Sequence, residues 1–175
     1  MGKVVVVYHS KYGSTQRYAE MIKEATGCDI VAESDCKVED IMGYDTIVYG
    51  GAIHGGGILG LDFLKKNISA LQGKKILAFA VGLNVLEQKN RDEVIELNFV
   101  KKLKGIPCYF CRGAYDPTQI KGMDKMLMKM VYKMVVKMPA VDRTEENSDL
   151  ILAIEEGRDF VDKSYIEPIL EAISK

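Results

Sequence analysis

Residues Ser10-Lys11-Tyr12-Gly13-Ser14-Thr15 bring three hydroxyls, a cation and a glycine into one short stretch. That combination suits the holding of an anion. Successive backbone N–H groups at the start of a helix, with hydroxyl donors beside them, surround a phosphate without needing a cationic side chain. The stretch lacks the glycines of a dinucleotide fingerprint and the Gly-Lys-Ser/Thr ending of a triphosphate loop, so it is neither. The bland alternative is an ordinary helix cap, for which Ser14 alone suffices.

A second cluster, Gly50-Gly51-Ala52-Ile53-His54-Gly55-Gly56-Gly57, offers a backbone nearly bare of side chains. Small residues let backbone approach the edge of a flat ring and donate hydrogen bonds to it. A third short stretch, Val81-Gly82-Leu83-Asn84, is placed to close the other side of the same crevice. His54 is one of two histidines. With an ordinary pKa of about 6.5, its imidazole suits proton exchange or partial neutralisation of charge near neutral pH, and an exposed loop histidine without a role is the equal alternative. His9 reads as structural. No histidine and carboxylate spacing matches a metal site.

Chemistry of this kind needs a scaffold that brings distant loops to one edge. Lys3–His9 is a β-branched apolar run without polar alternation, the mark of a central parallel strand covered on both faces. Ser14–Ala25 follows as a helix with Tyr18, Met21, Ile22 and Ala25 on one side, ended by Gly27. Further strands are expected at Cys28–Ala32, Tyr44–Tyr49, Lys75–Val81 and Ile106–Cys111. Helices are expected at Ile58–Asn67, within Glu87–Leu103, at Ser148–Val161 and after Pro168. Strands alternating with helical crossovers specify an α/β doubly wound sheet, in which ligands lie beyond the carboxyl ends of the strands. The three stretches all leave such ends, so they form a single site.

Cys108 and Cys111 invite a redox reading, which strand geometry opposes. Positions three apart on a strand face opposite sides with Cα atoms about 10 Å apart, beyond the roughly 7 Å limit for a disulfide.

The segment from Lys121 to Arg143 is longer than an ordinary connection and carries six basic against two acidic residues. As a helix, Lys121, Lys125, Lys129, Lys133 and Lys137 share one side, and Met123, Leu127, Met130, Val131, Met134 and Met138 form a broad arc opposite. Three readings stay open. The helix covers the crevice, rests on an anionic membrane surface, or forms a homodimer or partner surface.

The 175 residues, with 47% hydrophobic content and no Trp, fit one ordered domain, 1–175, with a basic Met-rich insertion at about 118–143. The formal net charge of -1 gives no global attraction for nucleic acid. Four cysteines, no leader pattern and no long apolar run point to a cytoplasmic protein, or one peripheral on the cytoplasmic face of a membrane.

On its hydroxyl-rich loop Ser10–Thr15 and its two ring-flanking loops, Gly50–Gly57 and Val81–Asn84, the chain resembles the flavodoxin family. Within it, the chain is most similar to the menaquinone-dependent protoporphyrinogen dehydrogenase type. That likeness spans residues 3 to 165 and rests on Ala52-Ile53-His54 with Phe63, Lys65 and Lys66, on Gly113-Ala114, on Asp124-Lys125 and on the Met- and Lys-rich stretch to Met138. The resemblance implies a flavodoxin-like three-layer sandwich with a five-stranded parallel sheet of order 2-1-3-4-5. It also implies FMN as cofactor, held by Ser10, Lys11, Tyr12, Gly13, Ser14 and Thr15, by Gly50, Gly51, Ala52, Ile53, His54 and Gly55, and by Val81, Gly82, Leu83 and Asn84. The implied activity is an FMN-dependent oxidoreductase passing electrons from a lipid-soluble organic substrate to a quinone-like acceptor, with His54 as the catalytic candidate. The alternatives are an electron carrier serving a redox protein partner and a non-redox regulatory protein on the same fold. His54-Gly55 stands where the dehydrogenase type tends to carry an Arg followed by an aromatic, and the ring-flanking loops lack the aromatics common in carrier flavodoxins.

Overall fold

The sheet is built around β1 (Val4–His9), whose Val4, Val5, Val6 and Val7 are all buried because helices cover both faces. In the computed structural model, which describes residues 2–175, β1 pairs in parallel with β2 (Asp29–Ala32) on one side and β3 (Thr46–His54) on the other. Beyond β3 lie β5 (Lys75–Gly82) and β6 (Cys108–Arg112), also parallel, and the order is β2-β1-β3-β5-β6. This is the expected five-stranded 2-1-3-4-5 arrangement, with the short β4 (Gly57–Ile58) added antiparallel to the end of β3.

One face buries Val4, Val6, Val48, Leu77, Phe79 and Val81 under α1 (Ser14–Thr26) and α7 (Glu167–Ser174). Tyr18, Ala19 and Ile22 are the α1 residues that pack there, and Gly27 ends α1 in the left-handed conformation at φ 72°. Ala25, expected inside, is exposed. The opposite face buries Val5, Val7, Ile47, Tyr49, Ala78 and Ala80 under α2 (Val38–Ile41), α3 (Leu61–Asn67) and α4 (Gln88–Asn98). Cys108 packs on this second face and Cys111 on the first, as the period of a strand requires. Burial raises both thiols, Cys108 to about 12, so neither is poised as a thiolate.

Two expectations need correction. The third strand does not stop at Tyr49: it continues through Gly50 and Gly51 to His54, then reverses tightly into β4, with Gly55 (φ 57°) and Gly56 (φ 83°) as the turn. The helix expected from Ile58 therefore starts only at Leu61.

The second correction concerns the far end of the chain. After β6, β7 (Ala114–Tyr115) pairs antiparallel with β8 (Arg158–Asp159), and the excursion between them carries α5 (Gly122–Val136) and α6 (Glu145–Glu156). The helix expected at Ser148–Val161 ends at Glu156, and it packs with α5 around a separate cluster of Tyr115, Ile120 and Ala153. Phe160, beyond the helix, packs against that cluster and stacks on Arg112, whose guanidinium lies 3.7 Å from the ring. Arg112, buried at the end of β6, also reaches Asp149 of α6 at 2.8 Å and so ties the excursion to the sheet.

Candidate functional site

The β1–α1 turn leaves donors without partners. Gly13, at φ 92°, precedes the first turn of α1, and no side chain caps the helix. The amides of Ser14, Thr15 and Gln16 then have no intrahelical acceptor, as in any helix start, and the helix dipole favours negative charge there. Thr15 is 1% exposed, and its Oγ1 is buried with no hydrogen-bond partner. A buried hydroxyl left unpaired costs free energy, and a bound anion removes that cost. The other hydroxyls are partly committed. Ser10 Oγ accepts from the Gly13 amide (3.1 Å), and Ser14 Oγ accepts from the Ala114 amide (3.0 Å), each keeping a proton to donate.

The three stretches do meet at one cavity of about 500 Å³. Ser10, Lys11, Tyr12, Ser14 and Thr15 line it with Ala52, Ile53, His54 and Gly55 and with Val81, Gly82, Leu83 and Asn84. Gly13 contributes the turn rather than wall. Gly50 and Gly51 lie outside the wall, because they are strand residues whose bare backbone receives neighbours. A Cβ on Gly50 would fall 2.1 Å from the Phe79 ring, and one on Gly51 would fall 2.5 Å from Ile58 Cγ2 and 2.6 Å from the Leu59 carbonyl oxygen.

Two buried side chains hold the loops in place. Asn98 of α4 accepts from the Ile58 amide (2.9 Å) and donates to the Gly56 carbonyl (2.8 Å), fixing the β3–β4 turn. Glu146 of α6 accepts from the amides of Leu86 (2.5 Å) and Glu87 (3.2 Å), fixing the segment after Asn84. Asn84 Oδ1 is buried without a partner beside the cavity.

Asp124, in the first turn of α5, draws two of the loops together. Its Oδ2 accepts from Lys11 Nζ (2.6 Å) and from the Tyr12 hydroxyl, and its Oδ1 lies 2.8 Å from His54 Nε2. The Lys11 hydrogen bond first, then those from Tyr12 and His54, hold this carboxyl well below the usual carboxylate range. The same bond to Asp124 pushes the Tyr12 hydroxyl up to about 12. Because an ionised carboxylate only accepts, His54 Nε2 carries the proton in this contact. His9 Nδ1 pairs instead with Glu33 at 3.1 Å, away from the cavity wall.

From Asp124 onward, α5 runs along the cavity. Leu127, Met128 and Val131 line it, together with Val94 and Leu97 of α4, Ile120, and Leu150 of α6. Val135 is buried further along. The broad apolar arc expected for this helix is thus split: Leu127 and Val131 line the cavity while Met123, Met130 and Met134 are exposed, although Met134 also edges the cavity, and Met126, outside that arc, is exposed as well. Among the described residues, no group of His, Cys, Asp and Glu is arranged to hold a metal ion.

Residues 5–141 match the family described as flavodoxin domain, and the chain belongs to that family. Among solved structures, a flavodoxin, WrbA-like protein from Agrobacterium tumefaciens is similar at 17% identity and a TM-score of 0.50, over 88% of this chain and 94% of that one. A flavodoxin from the domain Archaea is 23% identical with a TM-score of 0.46, over 67% of this chain and 86% of the other. The two-electron reduced flavodoxin of Megasphaera elsdenii is 24% identical with a TM-score of 0.42, over 61% and 82%. No functionally curated protein matches the chain significantly by sequence.

FMN is the cofactor of this family, and the residues present fit it. The unpaired Thr15 hydroxyl and the uncapped start of α1 suit its phosphate, and the crevice between Ala52–Gly55 and Val81–Asn84 suits a flat ring. The chain is a flavodoxin-like, FMN-binding protein of oxidoreductase and electron-transfer character.

Proposed function

We propose that this protein is an FMN-dependent oxidoreductase, resembling protoporphyrinogen dehydrogenase, that passes electrons from a reduced organic substrate to a quinone-like acceptor. The observation that supports an enzyme over a carrier is a partial roof: the cavity floored by the three loops is flanked by Val94 and Leu97 of α4, Leu127, Met128 and Val131 of α5 and Leu150 of α6, with Asn90, Glu93 and Asp124 as the polar part of that wall. A carrier presents its ring edge to a protein partner, whereas a part-covered, largely apolar space suits a small lipid-soluble molecule beside the ring.

FMN, when bound, supplies the redox chemistry, accepting and releasing electrons through its ring. The chain's own residues do the rest. Thr15, Ser10, Ser14 and the first-turn amides of α1 hold the phosphate. Ala52, Ile53 and Leu83 present backbone and aliphatic surface to the ring crevice, and Leu127, Met128 and Val131 exclude water from its outer side. His54 holds a proton at Nε2 against Asp124 and gives or takes one at Nδ1, where an organic substrate losing hydrogen needs an acceptor.

Val131→Trp tests this reading by filling the outer side of the cavity. It should retain FMN but lose about ten-fold in kcat/KM with a small soluble quinone, chiefly through KM. Unchanged turnover would place the acceptor elsewhere and favour delivery to a protein partner.

A further inference from the structure

The outer side of α5 has no partner among the described residues. Met123 is 80% exposed, Met126 59%, Met130 62% and Met134 65%. They recur at steps of three and four residues and so form one stripe along a helix of 15 residues, roughly 22 Å long. Lys129, Lys133 and Lys137 flank it on one side while Lys121 and Lys125 lie further round the helix; all five are exposed, and none joins an ion pair among the described residues. The only acidic residue of the helix, Asp124, is buried and engaged by Lys11, so it does not offset them. Tyr132, on the side toward α6, gives its hydroxyl to Glu155 at 2.5 Å.

We propose that this face is a docking surface for an anionic lipid bilayer, with the methionines entering the headgroup and acyl boundary and the lysines meeting lipid phosphates. Charge complementarity chooses the occupant. A two-fold dimer through this face would set lysine against lysine. Protein interfaces are depleted in Lys and fix their charges in specific pairs, whereas a row of unpaired lysines beside flexible, unbranched side chains matches a fluid charged surface. No helix among the described residues is long and apolar enough to cross a membrane, so the contact is one of lying on the surface.

The placement has a consequence for the cavity, which rests on the proposed function. Met134 belongs both to the exposed stripe and to the cavity rim, and Leu97, 59% exposed, edges the rim from α4. Docking therefore brings an apolar rim of the cavity against the bilayer, from which a lipid-soluble acceptor can enter without crossing water.

The test is co-sedimentation of the full FMN-loaded chain with phosphatidylglycerol vesicles and with phosphatidylcholine vesicles, across a salt series. Binding should favour the anionic vesicles and weaken as salt rises, because exposed charge attraction is screened. Exchanging Lys125, Lys129, Lys133 and Lys137 together for Gln should lower the partition by about ten-fold or more with FMN content unchanged. Met126→Gln with Met130→Gln should lower it without altering the salt dependence. Protein left in the supernatant with anionic vesicles at low salt would overturn the proposal, as would equal binding to both lipids. So would a concentration-dependent mass in lipid-free solution that is abolished by the Met changes, since it assigns the face to a second copy. Vesicle binding that persists in a preparation inactive toward quinones would keep the docking face and reject the proposed activity.

Discussion

Thr15 and Asp124 represent two kinds of functional residue, one legible from its neighbours and one legible only from the fold. Thr15 is the second residue of α1, just past the turn that joins an apolar strand to that helix, and its buried, unpaired hydroxyl follows from that local pattern. Thr15→Ala should weaken FMN binding by roughly ten-fold and leave riboflavin binding nearly unchanged, since the lost donor serves the phosphate alone. Fluorescence titration with the two ligands checks this, and equal losses would move the phosphate elsewhere. Asp124 meets Tyr12 and His54 across separations of 112 and 70 residues, so no local pattern marks it as the meeting point of two loops. Asp124→Asn removes the charge that gathers Lys11, Tyr12 and His54, and release of both FMN and riboflavin should accelerate by about ten-fold. Acceleration for FMN alone would mean that Asp124 acts on the phosphate rather than on closure.

The same carboxylate sets a pH dependence. Its pKa in the folded protein is lowered, so its contribution to closure is present above the unfolded value of about 3.9 and lost only as pH falls through the still lower folded value. Wild-type flavin release should therefore be insensitive to this group from neutrality down past pH 4 or so. Stopped-flow release measured across that range would reveal a different governing group if the rate rose near pH 5.

At the scale of elements, strand and helix positions follow closely from the apolar runs and their periods, and the misplaced end of β3 has a physical origin. Glycine disfavours strands, so Gly50 and Gly51 read as the start of a loop. In the fold they are strand residues because Phe79, Ile58 and Leu59 occupy the space where side chains would stand. Gly51→Val should thus destabilise the protein by about 3 kcal/mol or more rather than perturb the flavin ring in an intact fold. A chemical denaturation midpoint unchanged from wild type, with altered flavin absorption, would restore the loop reading. Helix α5 shows the complementary limit. Periodicity identifies the helix, but Leu and Met count alike as apolar, and only the fold separates Leu127, Met128 and Val131, turned to the cavity, from the exposed methionines. Asn98 and Glu146, which pin the loops, lay within segments whose sequence shows only ordinary polar helix surface.

For the molecule as a whole, a parallel sheet gathers three loops at one edge, and an excursion between β7 and β8 places two helices over them. The first half of that arrangement defines an FMN-binding flavodoxin domain. The second half sets largely apolar helix side chains along one side of that crevice, and on it rests the proposed activity. The most direct test is to supply the purified, FMN-loaded chain anaerobically with a reduced organic donor and excess soluble quinone, with no other protein present. Many equivalents of quinone reduced per FMN are the predicted result, and a single stoichiometric oxidation of donor that advances only when a redox protein is added would contradict it.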